Sequence, residues 1–213
     1  MPEQKRRRRW PIVLAIVAAL VPISALVARH FTRPEALTAF LIDNARSQLG
    51  AVLVVSNAGR FAFVPEFHLV LPDPSLAASE RGAPFLTAKN ADVVVPWSML
   101  WSGRYEIRRI ELVSPRLDLD ALDAWLASRP AAKTPDIRFA LHASDATVVS
   151  GGKTIASGVE LEFANAGDLA EWLDKRATLL PPIAGTAKAA VIEVGGARLE
   201  GVSVESRDDA AKP

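Results

Sequence analysis

The stretch VPWSMLWSGRYEIRRIELVSPRLDLDALDAWL, residues 95–126, decides the fold. From residue 104 to 119 charged and apolar residues alternate, and a period of two sends successive side chains to opposite faces of a β-strand. One face is therefore wet and the other faces a core. RYEIRRIELVSP and RLDLDAL read as strands, or as one strand with a bend, preceded by PWSMLWSG as a short turn or one-turn helix. DALDAWLASRP reads as a short helix with Asp120 as its N-cap. Three of the five tryptophans lie in this stretch, and they read as plugging a sheet end and docking the short helix.

The same pattern continues on both sides. PEALTAFLIDNARSQL, residues 34–49, puts Leu37, Phe40, Leu41, Ala45 and Leu49 on one helical face, with Gly50 as a C-terminal cap. AVLVVS is then a short strand and NAG a turn. RFAFVPEFHLVLP follows as a strand that Pro65 interrupts, which implies an edge position or a bulge. PDPSLAASERGAP reads as a loop and FLTAKNADVVVPW as a strand. After the linker SRPAAKTP, DIRFALHASDATVVSG and KTIASGVELEFANAG form two strands across a GG turn, and PIAGTAKAAVIEVG and ARLEGVSVES form a final hairpin. LDAWLASRP (122–130) is echoed by LAEWLDKRA (169–177), each a short helix offering Leu, Trp and Leu to the sheet.

The N-terminus has a different character. KRRRRW is followed by an uncharged apolar run that ends before Arg29. Residues 10–28 would span roughly 28 Å as a helix, close to the thickness of a hydrocarbon core. Pro11 falls in the first turn and Pro22 predicts a kink. Arg6, Arg7, Arg8 and Arg9 hold the N-terminus on the cytoplasmic side, and Trp10 sits where an interfacial anchor belongs. The other reading, a cleaved signal peptide, fits less well: Ile23 or Leu26 would stand where the cleavage site needs a small residue. The organisation read from the chain is a cytoplasmic basic segment (1–9), a transmembrane helix (10–28), an amphipathic helix (34–49), a β-rich domain (51–205) and a disordered tail (206–213).

The 213 residues hold no cysteine and only His30, His68 and His142, so no disulfide framework and no metal-ligand spacing is available. From Arg29 onward there are 20 basic and 23 acidic residues, a mildly acidic body that argues against nucleic acid as a partner. No nucleophile elbow, zinc-helix motif or glycine-rich phosphate loop occurs, and no cofactor is implied. Asp118 and Asp120 could serve acid–base or metal chemistry, but they read as a solvated strand face running into a helix cap. His68 and His142 read as surface or packing residues. Arg108 and Arg109, adjacent in a strand, should point to opposite faces and meet cross-strand acids rather than clamp one anion. A non-enzymatic protein is expected.

What stands out is apolar strand surface. Phe61, Phe63, Phe67, Leu69 and Leu71 make one stripe; Ile137, Phe139, Leu141, Thr147 and Val149 a second, interrupted by Asp145; Ile155, Val159, Leu161 and Phe163 a third. Two readings stay open. These stripes close a sandwich or half-barrel core, or they line a partly open concave face suited to acyl chains.

PFLTAKNADVVVPWSMLWSGRYEIRRIELVSPRLDL, residues 84–119, resembles the N-terminal region of the AsmA-like family. The resemblance is carried by Thr87, Ala88 and Lys89, then Leu100, Ser102 and Gly103, then Ile107, Ile110, Leu112, Pro115, Leu117 and Leu119. Together with the preceding helices it covers roughly residues 10–120. The family's usual "dG–NW" segment is missing, with DALDAWLASRP in its place. The resemblance implies a single-pass inner-membrane protein with a periplasmic domain in a Gram-negative envelope, whose apolar β-groove handles lipid in envelope or outer-membrane biogenesis. The fold it implies is mainly β: a transmembrane helix followed by a curved, mostly antiparallel sheet, a groove or half-barrel, with a few short helices. Bridging members are several times longer, and about nine strands at ~4.8 Å spacing give a sheet only roughly 40 Å across. The expected partner is membrane lipid, with a protein partner pairing through a sheet edge as the alternative.

Overall fold

A computed structural model describes residues 34–57, 59–62, 66–98, 106–128, 138–167 and 185–206. The predicted span, its arginines and Trp10 lie outside these residues, as do Phe63, Ile137, Leu100, Ser102, Gly103 and the second Trp–Leu helix. Among the described residues no helix is long and apolar enough to cross a membrane.

The chain is mainly β and builds one curved, open sheet. Helix α1 (Pro34–Asn44) continues into a π-helical turn (Ala45–Leu49). Gly50 closes it at φ 63°, a left-handed position that glycine takes without a Cβ penalty, and the Ala51 N–H returns to the Ala45 carbonyl at 3.2 Å. Leu37, Leu41 and Ala45 are buried, so the apolar face expected from the spacing is the face that packs.

Twelve strands follow. They are β1 (Val52–Val54), β2 (Arg60–Ala62), β3 (His68–Pro72), β4 (Ser75–Ala77), β5 (Pro84–Thr87), β6 (Asn90–Val94), β7 (Arg109–Val113), β8 (Arg116–Asp118), β9 (Ala140–Ser150), β10 (Lys153–Phe163), β11 (Gly185–Val194) and β12 (Ala197–Ser206). Their pairing reduces them to eight passes in sequence order. β1 and β2 lie end to end along β4 and β3. β3–β4 and β5–β6 pair likewise, as do β5–β6 and β7–β8. β7 and β8 together line one edge of β9, and β10, β11 and β12 complete the sheet. Neighbours are antiparallel except β7 and β8 against β9, the one place where a crossover is needed. Helix α2 (Leu119–Ser128) lies in that crossover.

The turn expected at 57–59 does not reverse the chain: β1 and β2, on either side of it, run on along β4 and β3, and the Ser56 N–H still reaches the Pro72 carbonyl at 3.4 Å. The chain reverses between β2 and β3, which are antiparallel partners with Phe61 opposite Leu69. Both residues keep one face because they are paired directly across the two strands. Part of the expected loop at 72–84 is strand β4, paired on both sides.

Five of the passes break at one line across the sheet. Asp73, Ser114 and Asp145 take φ values of 45°, 47° and 55°, and Gly158 and Gly201 take 60° and 65°. Hydrogen bonds cross the break in register: Asp73 N–H to Lys89 O, Lys89 N–H to Val113 O and Ser114 N–H to Ser144 O, at 3.0, 3.0 and 2.8 Å. Each break turns two consecutive residues outward, so apolar positions skip from a spacing of two to one of three. This corrects the second and third stripes. Val148 pairs with Leu117, and Leu117 with Leu86, so Val148 holds the apolar face while Thr147 and Val149 point the other way. Beyond Gly158, Ala156 holds that face in place of Ile155, as its pairing with Val148 requires.

At Gly158 an added Cβ would stand 2.8 Å from the Ala190 Cβ, at a left-handed φ. Gly158→Val is therefore expected to cost about 1–3 kcal/mol, seen as a lower urea midpoint with an unchanged slope. A wild-type midpoint would show that the strands do not cross so closely there.

Candidate functional site: an apolar cavity between helix and sheet

Residues paired directly across strands share a face. One row runs Phe61, Leu69, Val93, Ile110, Leu141 and Phe163. The next runs Leu71, Ala91, Leu112, Ala143, Leu161, Ala187 and Val204. Beyond the break a further row runs Leu53, Leu76, Leu86, Leu117, Val148, Ala156, Ile192 and Leu199. One face of the sheet is thus apolar across its whole width. The opposite row reads Arg60, Val70, Asp92, Glu111, His142, Glu162, Thr186 and Glu205.

Helix α1 covers the first passes of the apolar face unevenly. Its N-terminal half packs down: Leu37 and Leu41 join Phe67, Leu69, Leu71, Ala91, Val93 and Val95 in one buried cluster. Its C-terminal half stands off and leaves a cavity of about 550 Å³. Phe40, Leu41, Ala45 and Leu49 form the roof; Leu71, Pro74, Leu76, Leu86, Ala88, Ala91, Val93, Ile110 and Leu112 form the floor. The small residues Pro74 and Ala88 lie beside the break, where bulk would fill the space. The π-helical turn lies above it, and such turns often accompany binding sites. Polar groups come only from Asn44, Gln48, Ser75, Glu106 and Arg138. A few polar groups around an apolar space of ~300–1,000 Å³ is the usual form of a small-molecule site.

The expected groove residues divide. Leu71 and Phe139 line the cavity. Phe67 and Leu69 are fully buried in the packed cluster and do not, and Phe61 packs against that cluster. Leu141, Leu161 and Phe163 are half-buried on the same apolar face, and Val159 is buried there with Ala146 and Ala189. Leu71 is the one floor residue that the expected stripes contain; Pro74 and Leu76, beyond the break on the same pass, lie outside them because a strict period of two runs out of step across it. The roof residues were legible as an amphipathic face, but nothing local told that half of it would stand clear.

The polar residues have structural partners. Asp118, not Asp120, caps α2, its Oδ1 accepting from the N–H groups of Asp120 and Ala121 at 3.1 Å each. Asp120 instead accepts from Ser150 Oγ at 3.3 Å and Gly151 N–H at 2.6 Å, tying the helix to the β9–β10 turn. Trp125 stacks on Phe85 with ring centroids 4.7 Å apart and donates to the Gly50 carbonyl at 3.4 Å. Arg109 reaches Glu66 at 2.7 Å and Glu111 at 2.6 Å, and Arg108 comes within 4.0 Å of Glu66 too. Arg108 lies just before β7 with its backbone bonded to Val94 and Ala140, and its side chain still reaches the same Glu66 as Arg109, so the expected separation of the two arginines does not hold. His68 Nδ1 lies 2.8 Å from the Glu66 carbonyl, and His142 Nε2 lies 4.0 Å from Glu160.

Asp92 is the one strained carboxylate of the polar face. Burial raises its pKa; His68 and Arg60 oppose this, and Glu111, directly across the strand, adds to it. Its Oδ1 is buried without a hydrogen-bond partner. A raised folded-state pKa favours folding only while the group is protonated and opposes it once pH rises past that pKa. Asp92→Asn is therefore expected to raise the unfolding midpoint at pH 7, with the gain shrinking as pH falls through the carboxylate range. A gain that is constant with pH would show that charge is not the cause.

Comparison of the chain with family models, curated proteins and solved structures returned no match.

Proposed function

We propose that this protein binds a lipid acyl chain in the cavity under α1, as a non-enzymatic component of lipid handling. The observation that carries the reading is an apolar cavity of about 550 Å³ opening onto a sheet face that stays apolar as far as β12. Each methylene moved from water into such a site contributes ~0.8 kcal/mol. The AsmA-like resemblance at 84–119 and the arginine-flanked span at 10–28 support the setting: an inner-membrane anchor with the sheet on the periplasmic side, serving envelope biogenesis. The protein purified in detergent, or with residues 1–33 deleted, is expected to carry phospholipid detectable by mass spectrometry. Protein that carries none, and takes up none from labelled vesicles, would sink the reading.

A second reading is an assembly or secretion accessory that pairs with a partner through a sheet edge. It draws on β12, a ten-residue strand that among the described residues pairs only with β11, and whose Leu199 and Val204 are exposed. Arg198, held between Glu193 and Glu200 at 3.3 and 2.9 Å, places charge on that edge. This reading expects a defined crosslinked complex through β12 and no lipid.

A further inference from the structure

The end of the sheet that faces the anchor is fixed by chain geometry. Gly50 leads directly into β1, whose Val52 pairs with Ala77, so the C-terminus of α1 lies at the Ala77 end. The sixteen residues from Pro34 to Leu49 rise roughly 24 Å, against ~33 Å for a ten-residue strand pass. The start of α1 therefore lies toward the Phe67–Val95 end, and Leu37 packs in one cluster with Phe67 and Val95. The uncharged run ends at residue 28 and α1 begins at Pro34, so the chain between them reaches at most about 21 Å.

Among the described residues, three aromatic rings stand at this end. Phe67, wholly buried, stacks on Phe61 at 5.0 Å and on Trp97 at 5.2 Å. Trp97 is 48% exposed, one of the few large apolar side chains so open among the described residues. It stacks on a ring rooted in the core, with exposed Ser98 beside it. A rigidly held indole with one apolar face and one N–H donor suits the headgroup level of a bilayer.

We infer that the Trp97 end of the sheet rests on the surface of the membrane that holds the anchor, with Trp97 seated at the headgroup level. The inference rests on the anchor reading of residues 10–28 and is independent of acyl-chain binding in the cavity. Contact there would hold the strands upright from the bilayer instead of leaving the domain to swing on its tether.

The chain has no cysteine, so one introduced thiol is unique. The full-length protein carrying Ser98→Cys with a nitroxide label, in phosphatidylcholine vesicles, is compared with Ser79→Cys, which places the label in the turn at the opposite end. The label at 98 is expected to collide with oxygen in preference to a nickel chelate, and the label at 79 to show the reverse. Adding Trp97→Glu to Ser98→Cys should return the label at 98 to aqueous behaviour, with an unchanged circular dichroism spectrum. A label at 98 as aqueous as that at 79, or one unmoved by Trp97→Glu, would overturn the inference. Removal of the protein from vesicles by alkaline carbonate would overturn it together with the anchor, whereas lipid retention measured by mass spectrometry bears on the cavity alone.

Discussion

Ile110→Trp is expected to remove most of the bound acyl chain while leaving the thermal midpoint within a few degrees of wild type. Ile110 is half-buried, stands in the row between Val93 and Leu141, and lines the cavity floor. An indole there grows into open space instead of into packed neighbours, so overpacking is avoided. Excluding three methylenes at ~0.8 kcal/mol each loses about 2.4 kcal/mol, roughly a 60-fold weaker affinity. Leu199→Trp is the control, because Leu199 lies on the same apolar face but outside the cavity and is already exposed. Displacement of a fluorescent acyl probe measures both. Equal affinities for Ile110→Trp and wild type would place the ligand elsewhere.

Phe67→Ala should have the largest effect on stability, about 3–5 kcal/mol. The side chain is fully buried, and its stacking contacts with Phe61 and Trp97 are lost along with it. Aromatic pairs add ~0.5–1.5 kcal/mol each beyond area burial, which favours the upper part of the range. Against a typical total of ~5–15 kcal/mol, that loss leaves a marginal or unfolded domain. Urea titration with Leu199→Ala alongside gives the comparison, since truncating an exposed side chain normally stays within about 0.5 kcal/mol. A loss under 1 kcal/mol for Phe67→Ala would mean that the cluster around Leu37 is not the centre of the fold.

A single stripe of the sequence holds both packed and cavity-lining residues. Phe67, Leu69 and Leu71 alternate with His68 and Val70, so period two puts them on one face, and that is where they are. Whether a face is packed or left open depends on how far a distant helix stands from it. Leu37 packs in one cluster with Phe67 and Leu69, whereas Ala45, Gln48 and Leu49, two to three turns on, border a cavity above Leu71. No local pattern in 60–72 contains that distance.

The sequence by itself determined the β character, the amphipathic face of α1, the left-handed cap at Gly50 and the docking of Trp125, because each follows from side-chain periodicity or backbone freedom within a few residues. Tertiary structure alone decided which turn formers reverse the chain. The chain does not reverse between β1 and β2, because β4 and β3 line up beside them; it reverses between β2 and β3 instead. It also decided the break across the sheet. Asp73, Ser114 and Asp145 hold positive φ values that cost energy locally, and the hydrogen bonds that oppose this cost come from neighbouring strands bent at the same place. The apolar face stays continuous because the strands break together, and the cavity lies beside that line.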